Sequence, residues 1–469
     1  MRKTAAWMAP LVILLLFVLL RAYHLGAPIL DHSDWRQADT ASIARFYYLE
    51  GVRLLHPQVL YDGPGPNYAQ VELPIGEALA AMAAHLFGWS SALLHGVAIA
   101  LSVGSLIALY FFVRLEVGNR AAGWAALLYA LAPLGIFYGR AFQAEPAMMC
   151  FGLVALWAFS AWSHRPSAGR LVFASALFAV AIAAKLPNAI LGLPILWILL
   201  RGRSGRWLVR LVLALGLPYV LAGVYTAASG LSATDHGDFV TRIALAVLTK
   251  PNWQEGGPRI AAFWSHNLLL GAAGWGMAVL APFGLVALPP KARGAFFAWG
   301  VALLVWCVLL VSRIRQDYYL LICVPFLAAV GGVALDAAFR RGRRLGVAAA
   351  VLAVGLIVLA DVRFLPPLYR LDRATWAVAQ VIDAACPTGP VVVGTENPAV
   401  LYAAWREGWR TSAIGVAQLR SWIQSGATVV VPLGASVSPG AQGWLLANAR
   451  AVSGGGTRLY VVGACGARG

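Results

Sequence analysis

The stretch of this sequence with the densest reactive chemistry is Asp31–Thr40, which reads DHSDWRQADT. It places three aspartates, a histidine and an arginine just after a long apolar run, in a chain that is 60% hydrophobic and 12% charged. A carboxylate can take a proton from an attacking hydroxyl or amine, and an arginine can bind a phosphate through two parallel hydrogen bonds. These residue types therefore suit a pocket that holds a base beside an anionic phosphate.

The same stretch also has a purely structural interpretation. DWRQ resembles a capping box, in which Asp34 caps a helix and Gln37 reaches back to the cap. That helix would end near Gly51. Capping and catalysis are compatible roles for Asp34, so both stay open at this point.

Further ionisable residues stand at the ends of apolar runs, where charges are costly and tend to be functional. Glu145 precedes a proline and could instead stabilise the positive end of a helix. Arg313 and Arg315 could be interfacial residues whose long side chains reach the membrane surface. Lys185 stands alone between two apolar runs. The residues concerned are Asp31, His32, Asp34, Arg36, Asp39, Glu72, Arg140, Glu145, Lys185, Arg313, Arg315, Asp317, Tyr318 and Tyr319.

Composition places these residues in a multi-pass membrane protein. The chain has 469 residues and a mean hydropathy of +0.74. Its net charge of +17 does not indicate nucleic acid binding, because the Lys and Arg residues lie between the apolar runs and form no single patch. The N-terminus has a basic start and a long apolar run without a small-residue cleavage site, which predicts an uncleaved first span.

Charge-free apolar runs predict eleven membrane-spanning helices. Two runs, Leu171–Ala184 and Leu186–Leu200, are short for a hydrocarbon core of ~30 Å and need flanking arginines to extend them. Leu73–Trp89 is not counted, because Glu77 and His85 favour a helix lying in the membrane interface. The eleven runs are Ala5–Leu20, Ser91–Val113, Ala121–Tyr138, Pro146–Trp162, Leu171–Ala184, Leu186–Leu200, Leu211–Ser229, Asn267–Pro290, Gly294–Ser312, Tyr318–Leu335 and Leu345–Ala360.

The distribution of Lys and Arg predicts the orientation. With the N-terminus inside, the short inner loops collect most of the basic residues, including the run at 340–344. This predicts an all-α polytopic protein of the cell (inner) membrane, with its C-terminus outside the cytoplasm. The predicted transmembrane domain covers 1–364, with a first outer loop at 21–90 that carries interfacial helices and a second long outer loop at 230–266.

Residues 365–469 differ in character from the rest of the chain. Short β-branched runs such as VVVG and TVVVPLG alternate with amphipathic helical stretches, which predicts a small α/β domain on the outer face. Cys386 and Cys465 are the only cysteines of this domain. A disulfide is allowed in an oxidising compartment, and two free thiols are the alternative.

Several motifs occur in the order known from one family of membrane enzymes. They are DHSDWRQADTASIARFYYLEG, VELPIGEAL, FGWSSALLHGVAIALSVGSLIALYFFVR, GRAFQAEP, KLPN and RIRQDYYLLICVPF. Together they resemble the C-type multi-pass glycosyltransferases of the protein O-mannosyltransferase and aminoarabinose-transferase branch. The resemblance covers roughly residues 1–364 and implies transfer of a sugar from a polyprenyl-phosphate carrier to an acceptor on the outer side of the membrane.

The resemblance also implies roles for individual residues. The first-loop acid of the family falls on Asp34 or Asp39, because two aspartates flank Trp-Arg-Gln where the family often has an adjacent Asp-Glu pair. Glu72 lies where the aminoarabinose transferases have a lysine, which implies different recognition of donor or acceptor. Glu145 matches a second acid. The residues assigned to the substrate or the lipid phosphate are Arg36, Glu72, Arg140, Glu145, Lys185, Arg313, Arg315 and Tyr319.

The predicted reaction is therefore a direct displacement that inverts the anomeric centre, with an aspartate as general base. A divalent metal cation at Asp34, Asp39 or Glu145 is a further expectation, since hard cations take carboxylate oxygens. The expected partners are a polyprenyl-phosphate sugar, membrane lipids and a lipid, glycan or protein acceptor, with no nucleic acid. A transporter or flippase of lipid-linked sugars is the main alternative, and a membrane scaffold is a third.

Overall fold

Helices make up most of the chain up to residue 368, as the apolar runs predict. The computed structural model describes residues 2–201, 207–234, 245–246, 249 and 257–466. The helices of this part are α1 (Arg2–Arg21), α2 (Asp34–Glu50), α3 (Ile75–Phe87), α4 (Ser91–Glu116), α5 (Asn119–Leu131), α6 (Pro133–Tyr138), α7 (Ala144–His164), α8 (Ala168–Ala184), α9 (Gly192–Arg201), α10 (Trp207–Leu211), α11 (Leu217–Ser232), α12 (Gly257–Ala262), α13 (Gly276–Ala287), α14 (Pro290–Arg313), α15 (Val324–Arg341) and α16 (Arg343–Leu368).

Six helices of the described residues are long and apolar enough to cross a membrane, or seven if one pair bent by 80° counts as a single span. Shorter apolar helices include Ala9–Arg21, Ala168–Ala184 and Leu186–Arg201. Each of the eleven predicted runs coincides with helical structure. The count of eleven spans and their direction through the membrane remain predictions.

Two predicted boundaries differ from the structure. The second long outer loop, predicted at 230–266, is helical again from Gly257, because Arg259 and His266 are accommodated within helical turns. The rest of that loop, from 235 to 256, lies almost wholly outside the described residues. At the other boundary, α16 continues to Leu368 instead of ending at residue 364.

Several helices are interrupted by tighter or wider turns. The 3₁₀ segments are Leu186–Leu191 and Asp317–Cys323, and the π-helical segments are Val212–Gly216 and Phe263–Ala272. Lys185 is extended, which separates α8 from the first 3₁₀ segment. Irregular backbone at membrane depth is tolerated where it is buried in protein or lines a cavity. Lys185 and the second 3₁₀ segment both contribute to the site described below.

The first outer loop contains α2, α3 and a short antiparallel pair, β1 (Gln58–Val59) with β2 (Asn67–Tyr68). The end of α2 at Gly51 is confirmed. The capping box is wrong, because α2 is capped by Ser33 in a left-handed conformation and no side chain bonds the cap. Gln37 instead donates to the Asp31 carboxylate at 2.7 Å, since its buried amide is turned toward that acid.

The C-terminal domain is the predicted α/β layer. Its main sheet has the order β4-β3-β6-β9-β8, in which β3 pairs in parallel with both β4 and β6. Helices pack on both faces of this sheet, and Cys386 is joined to Cys465 by a disulfide. The elements are α17 (Arg373–Ala385), β3 (Val391–Val393), α18 (Ala399–Ala404), β4 (Gly408–Arg410), β5 (Ala413–Ile414), α19 (Val416–Gln424), β6 (Val429–Val431), β7 (Ser436–Val437), α20 (Pro439–Asn448), β8 (Arg450–Gly454) and β9 (Thr457–Val461).

The first outer loop and the C-terminal domain are joined by backbone hydrogen bonds. Gly63 donates to Gly408 at 2.8 Å, and Gly408 donates in turn to Leu60 at 2.9 Å. The N–H of Asp372 donates to the Leu30 carbonyl at 2.7 Å. Leu60 also packs in the same buried apolar cluster as the sheet. Two segments from opposite ends of the chain therefore form one body.

Candidate active site

Four charged side chains from three separate parts of the chain form one buried network. Arg36 of α2 pairs with Glu72, which precedes α3. Lys185 pairs with Glu145 of α7 and lies 3.9 Å from Glu72. Lys185 is 2% exposed and Glu145 is not exposed. Buried charges are retained only when they are paired, so the network accounts for the ionisable residues that the sequence places at the ends of apolar runs.

Two tyrosines complete this network. The Lys185 ammonium lies 5.0 Å from the ring centre of Tyr318 and 5.1 Å from that of Tyr319, within reach of a cation–π attraction. Both tyrosines belong to the 3₁₀ segment Asp317–Cys323. We call the set Arg36, Glu72, Glu145, Lys185, Tyr318 and Tyr319 the cation network.

The local chain geometry explains how these side chains meet. Lys185 caps the end of α8 in an extended conformation, which directs its side chain away from the helix stack. Glu145 lies in the first turn of α7, where a carboxylate is favoured by the helix dipole. Glu145 therefore stabilises the start of α7 and pairs with Lys185 at the same time.

Electrostatics in the network favour ionised side chains. Burial opposes the ionisation of Glu72, but the positive charges of Arg36 and Lys185 outweigh it and lower the pKa of Glu72 to about 2. Two cations face two carboxylates here. The guanidinium of Arg36 has five N–H donors and the ammonium of Lys185 has three, so both retain donors beyond their ion pairs.

Asp39 lies three residues after Arg36 on the same face of α2. It is 7% exposed, and burial raises its pKa to about 6 against the opposing charges of Arg36 and Arg410. Within the described residues, Oδ1 of Asp39 and Oε2 of Glu145 are buried and accept no hydrogen bond. Buried polar atoms of this kind call for an explanation, and a substrate hydroxyl or a water would satisfy them.

Asp34 faces a different neighbour from Asp39. It lies at the first position of α2, is partly exposed, and accepts hydrogen bonds from the Asn397 amide at 3.1 and 3.2 Å. Burial raises the pKa of Asp34, and the Asn397 hydrogen bond partly opposes that rise. The acid nearest to solvent in this stretch therefore lies against the C-terminal domain.

Arg140 lies apart from the cation network. Its fully buried guanidinium pairs with Asp31 and lies 4.8 Å from the ring centre of Tyr369. The Arg140 guanidinium donates to Nε2 of His95 at 3.3 Å. The structure therefore brings Arg140 together with Asp31, and not with Lys185.

His32 forms a third polar group with Asp317. The imidazole lies 3.2 Å from one carboxylate oxygen of Asp317, and the Tyr138 hydroxyl donates to the other at 2.7 Å. Burial disfavours the charged imidazole, but the hydrogen bond and charge of Asp317 outweigh it and raise the pKa of His32. This contact ties the start of the first loop to the segment that carries Tyr318 and Tyr319.

The remaining predicted anion-binding residues are described only in part. The Arg313 side chain lies outside the described residues. Arg315 is partly exposed in the link between α14 and the 3₁₀ segment that begins at Asp317.

The carboxylates expected to bind a metal do not converge. Asp34 bonds Asn397, and Glu145 pairs with Lys185. Asp39 faces the arginines of α2 and β4. In the part of the chain that the structure describes, no three His, Cys, Asp or Glu side chains are grouped so that they could hold a metal ion. A divalent cation at Asp34, Asp39 or Glu145 stays a prediction.

Sequence reasoning missed the contribution of the C-terminal domain to the site. Asn397 and Arg410 lie more than 300 positions after the first loop, and no motif marks them. Tyr138 was missed as well, although it lies two residues before the predicted Arg140. The one available signal for Asn397 is its place directly after a β-branched run, where parallel strands commonly present ligand-binding residues.

Part of the chain matches a known protein family by sequence. Residues 69–228 match the family described as dolichyl-phosphate-mannose-protein mannosyltransferase. That stretch includes Glu72, Glu145 and Lys185, but neither first-loop aspartate. No curated protein matches the chain as a whole by sequence.

Three solved structures share the fold at low sequence identity. The crystal structure of ArnT from Cupriavidus metallidurans bound to undecaprenyl phosphate has a TM-score of 0.70 at 16% identity, covering 100% of both chains. The Archaeoglobus fulgidus oligosaccharyltransferase tethered with an acceptor peptide has a TM-score of 0.61 at 14% identity, covering 92% of this chain and 69% of that one. The mycobacterial arabinofuranosyltransferase AftD has a TM-score of 0.59 at 14% identity, covering 98% and 42%.

These likenesses confirm the resemblance that the motifs indicate. The chain has the fold of these three solved glycosyltransferase structures. Within that fold, the cation network and the first-loop aspartates lie at the junction of the two parts.

Proposed function

We propose that this protein transfers a sugar from a polyprenyl-phosphate carrier to an acceptor on the outer side of the membrane. The observation that carries the proposal is the cation network, in which Arg36 and Lys185 converge from distant segments of the chain. The C-type glycosyltransferase fold supports the same reaction class. The donor sugar is not specified by these features.

The cation network is the proposed site of the donor phosphate. The phosphate of a polyprenyl-phosphate sugar carries one negative charge, and it would accept hydrogen bonds from the donors of Arg36 and Lys185 that their ion pairs leave available. Tyr319 would add a hydroxyl from the facing segment. Glu72 and Glu145 hold the two cations in place, and Arg315 adds positive charge near the mouth of the network.

Asp34 is the proposed general base. It is more accessible than Asp39, and its raised pKa makes it a better proton acceptor. An acceptor hydroxyl would attack the anomeric carbon as its proton passes to the Asp34 carboxylate. The bond between the anomeric carbon and the phosphate oxygen breaks, and its electron pair leaves with polyprenyl phosphate.

This step has one stereochemical and one electrostatic consequence. Attack opposite to the leaving group inverts the anomeric centre. The leaving phosphate gains negative charge in the transition state, where preorganised Arg36 and Lys185 would stabilise it more strongly than in the ground state. The proton held by Asp34 afterwards passes to water.

The assignment to the outer side rests on the Lys and Arg distribution. A cysteine at Gly342, between α15 and α16, should react with a membrane-impermeant thiol reagent only from the inner side. A cysteine at the exposed Gly426 of the C-terminal domain should react only from the outer side. Reaction of both from one side would contradict the proposed orientation.

The reaction itself is tested with purified protein and a labelled polyprenyl-phosphate sugar. The wild-type protein should form glycosylated product and free polyprenyl phosphate. Asp34→Asn should lower turnover by roughly 10²–10⁴ while donor binding is retained, because the carboxylate is a base and not a phosphate ligand. Glu50→Gln, an exposed acid at the end of the same helix, is the matched control and should leave turnover unchanged.

The outcomes separate the candidate functions. Donor binding by the wild type without any product would contradict a transferase and support a transporter of lipid-linked sugars. Full turnover by Asp34→Asn together with lost turnover by Asp39→Asn would move the base to Asp39. Full turnover by both variants would leave the first-loop acids with a structural role only.

A further inference from the structure

The loops that follow the parallel strands of the C-terminal domain enclose a crevice. Its volume is about 410 Å³, and it is lined by the loop 394–397 after β3, by Ser412 after β4 and by Leu433 after β6, with Asp372 and Thr375 at the start of α17. In open sheets of parallel strands, ligands bind at the carboxyl ends of the strands. The crevice lies at that edge.

The loop after β3 is rigidly built. Gly394 donates its N–H to Val431 at 2.7 Å, and a Cβ at Gly394 would collide with the Pro432 carbonyl oxygen. The Thr395 hydroxyl accepts from the N–H of Asn397 at 3.2 Å. The side-chain Oδ1 of Asn397 in turn accepts from the Ala399 N–H at 2.9 Å. The crevice is therefore already formed in the free protein.

One wall of the crevice reaches the proposed base. Asn397 lines the crevice, and its side-chain N–H groups donate to both oxygens of Asp34. Asp372, on the other wall, is bonded through its N–H to Leu30, four residues before Asp34. A molecule bound against Asn397 would thus lie next to the side chain that holds the Asp34 carboxylate.

The chemistry of the lining selects the class of ligand. Thr395 and Ser412 supply hydroxyls, and Val400 and Leu433 supply apolar surface. The Thr375 hydroxyl already donates to Asp372, and the Asn397 N–H groups already donate to Asp34. The charged lining residues are carboxylates, Asp372 and Glu396. Hydroxyl-rich ligands suit such donors and acceptors, whereas a phosphorylated or otherwise anionic ligand would be repelled.

We propose that this crevice binds the acceptor and that the acceptor is a non-anionic carbohydrate, whose attacking hydroxyl points to Asp34. This inference rests on the proposed glycosyl transfer and assigns the acceptor site of that reaction. The cation network and the crevice then lie on the two sides of the first-loop helix α2, one for the donor phosphate and one for the acceptor.

The test fills the crevice without touching the donor site. Ser412→Trp in the full-length protein should raise the acceptor concentration that gives half-maximal transfer by at least ~10-fold, because an interaction lost to steric exclusion of about 1.4 kcal/mol already gives that factor. The half-saturating concentration of labelled polyprenyl-phosphate sugar should be unchanged. Ser421→Trp, at an exposed serine of α19 away from the crevice, is the matched control.

The probe is carbohydrate extracted from the envelope of the source cells, separated into neutral and anionic fractions. Label should be incorporated into the neutral fraction. Glu396→Lys should lower that preference and raise incorporation into the anionic fraction. Equal half-saturation by Ser412→Trp and wild type would overturn the crevice assignment, and label found only in protein or only in the anionic fraction would overturn the carbohydrate class.

A failure of the proposed glycosyl transfer would give a different result from a failure of the acceptor-site assignment. If the wild type makes no labelled product with any fraction, the proposed transferase activity fails. If the wild type transfers normally and Ser412→Trp behaves like Ser421→Trp, the transferase stands and only the acceptor site is wrong.

Discussion

The pair formed by Lys185 and Glu145 permits a quantitative test of the cation network. Lys185→Met keeps most of the side-chain volume but removes the positive charge beside a carboxylate that is fully buried. Removing one partner of a buried ion pair typically costs ~3–5 kcal/mol, because the other charge is left uncompensated. We therefore expect a clearly lower midpoint in thermal unfolding of the purified protein, followed by tryptophan fluorescence.

A double variant separates stability from binding. Lys185→Met with Glu145→Gln removes both charges, so most of the lost stability should return. Affinity for polyprenyl phosphate should stay low in the double variant. A charge-assisted hydrogen bond contributes ~1.5–3 kcal/mol, which corresponds to a loss of roughly 10- to 150-fold in affinity.

An exposed lysine provides the control for both measurements. Lys291→Met removes an exposed lysine at the start of α14 and should change neither property. If Lys185→Met unfolds at the wild-type temperature, the buried ion pair does not contribute as described. If the double variant binds polyprenyl phosphate as tightly as the wild type, Lys185 is not a phosphate ligand.

Three further predictions concern other parts of the site. Asp39→Asn should stabilise the protein at neutral pH by up to ~3 kcal/mol, because the pKa of Asp39 rises from 3.8 to about 6 on folding. The gain in stability over wild type should fade as the pH is lowered from about 6 to below 4. A gain that does not depend on pH would show that it does not come from the ionisation of Asp39. Asn397→Ala should shift the acidic limb of the pH–rate profile to higher pH, because it removes a hydrogen bond that lowers the pKa of Asp34. An acidic limb at the same pH as in the wild type would show that Asn397 does not position the base. Cys386 and Cys465 should resist alkylation in the unreduced, denatured protein. Opening their bridge, which closes a sequence separation of 79 residues, should cost the domain ~4.5 kcal/mol in the chain-entropy model.

The sequence predicts the helices well, because their signal is local. Each apolar run corresponds to helical structure, and the breaks fall where the sequence carries a reason for them. Pro133 begins α6 directly after α5 ends at Leu131, and Lys185 separates two helices that an uncharged residue would have joined. The number of spans is harder to predict, since several apolar helices are shorter than a membrane is thick.

The sequence predicts the residues of the site but not the partner of each residue. Arg36, Glu72, Glu145, Lys185 and Tyr319 do converge, because charges at the ends of apolar runs have few partners other than one another. The partner of each charge was not predictable from spacing. Arg140 pairs with Asp31, and Asp34 bonds a residue 363 positions away in sequence, neither of which any periodicity encodes.

The hydrogen bonds between the first loop and the C-terminal domain have a consequence for biosynthesis. Leu30 and Leu60 are synthesised before their partners Asp372 and Gly408. In the proposed orientation, the first loop therefore lies on the outer side without these partners while the intervening helices are inserted. The Asp34 carboxylate gains its neighbour Asn397 only after the C-terminal domain has folded. The proposed sugar transfer would therefore begin only once that domain is in place.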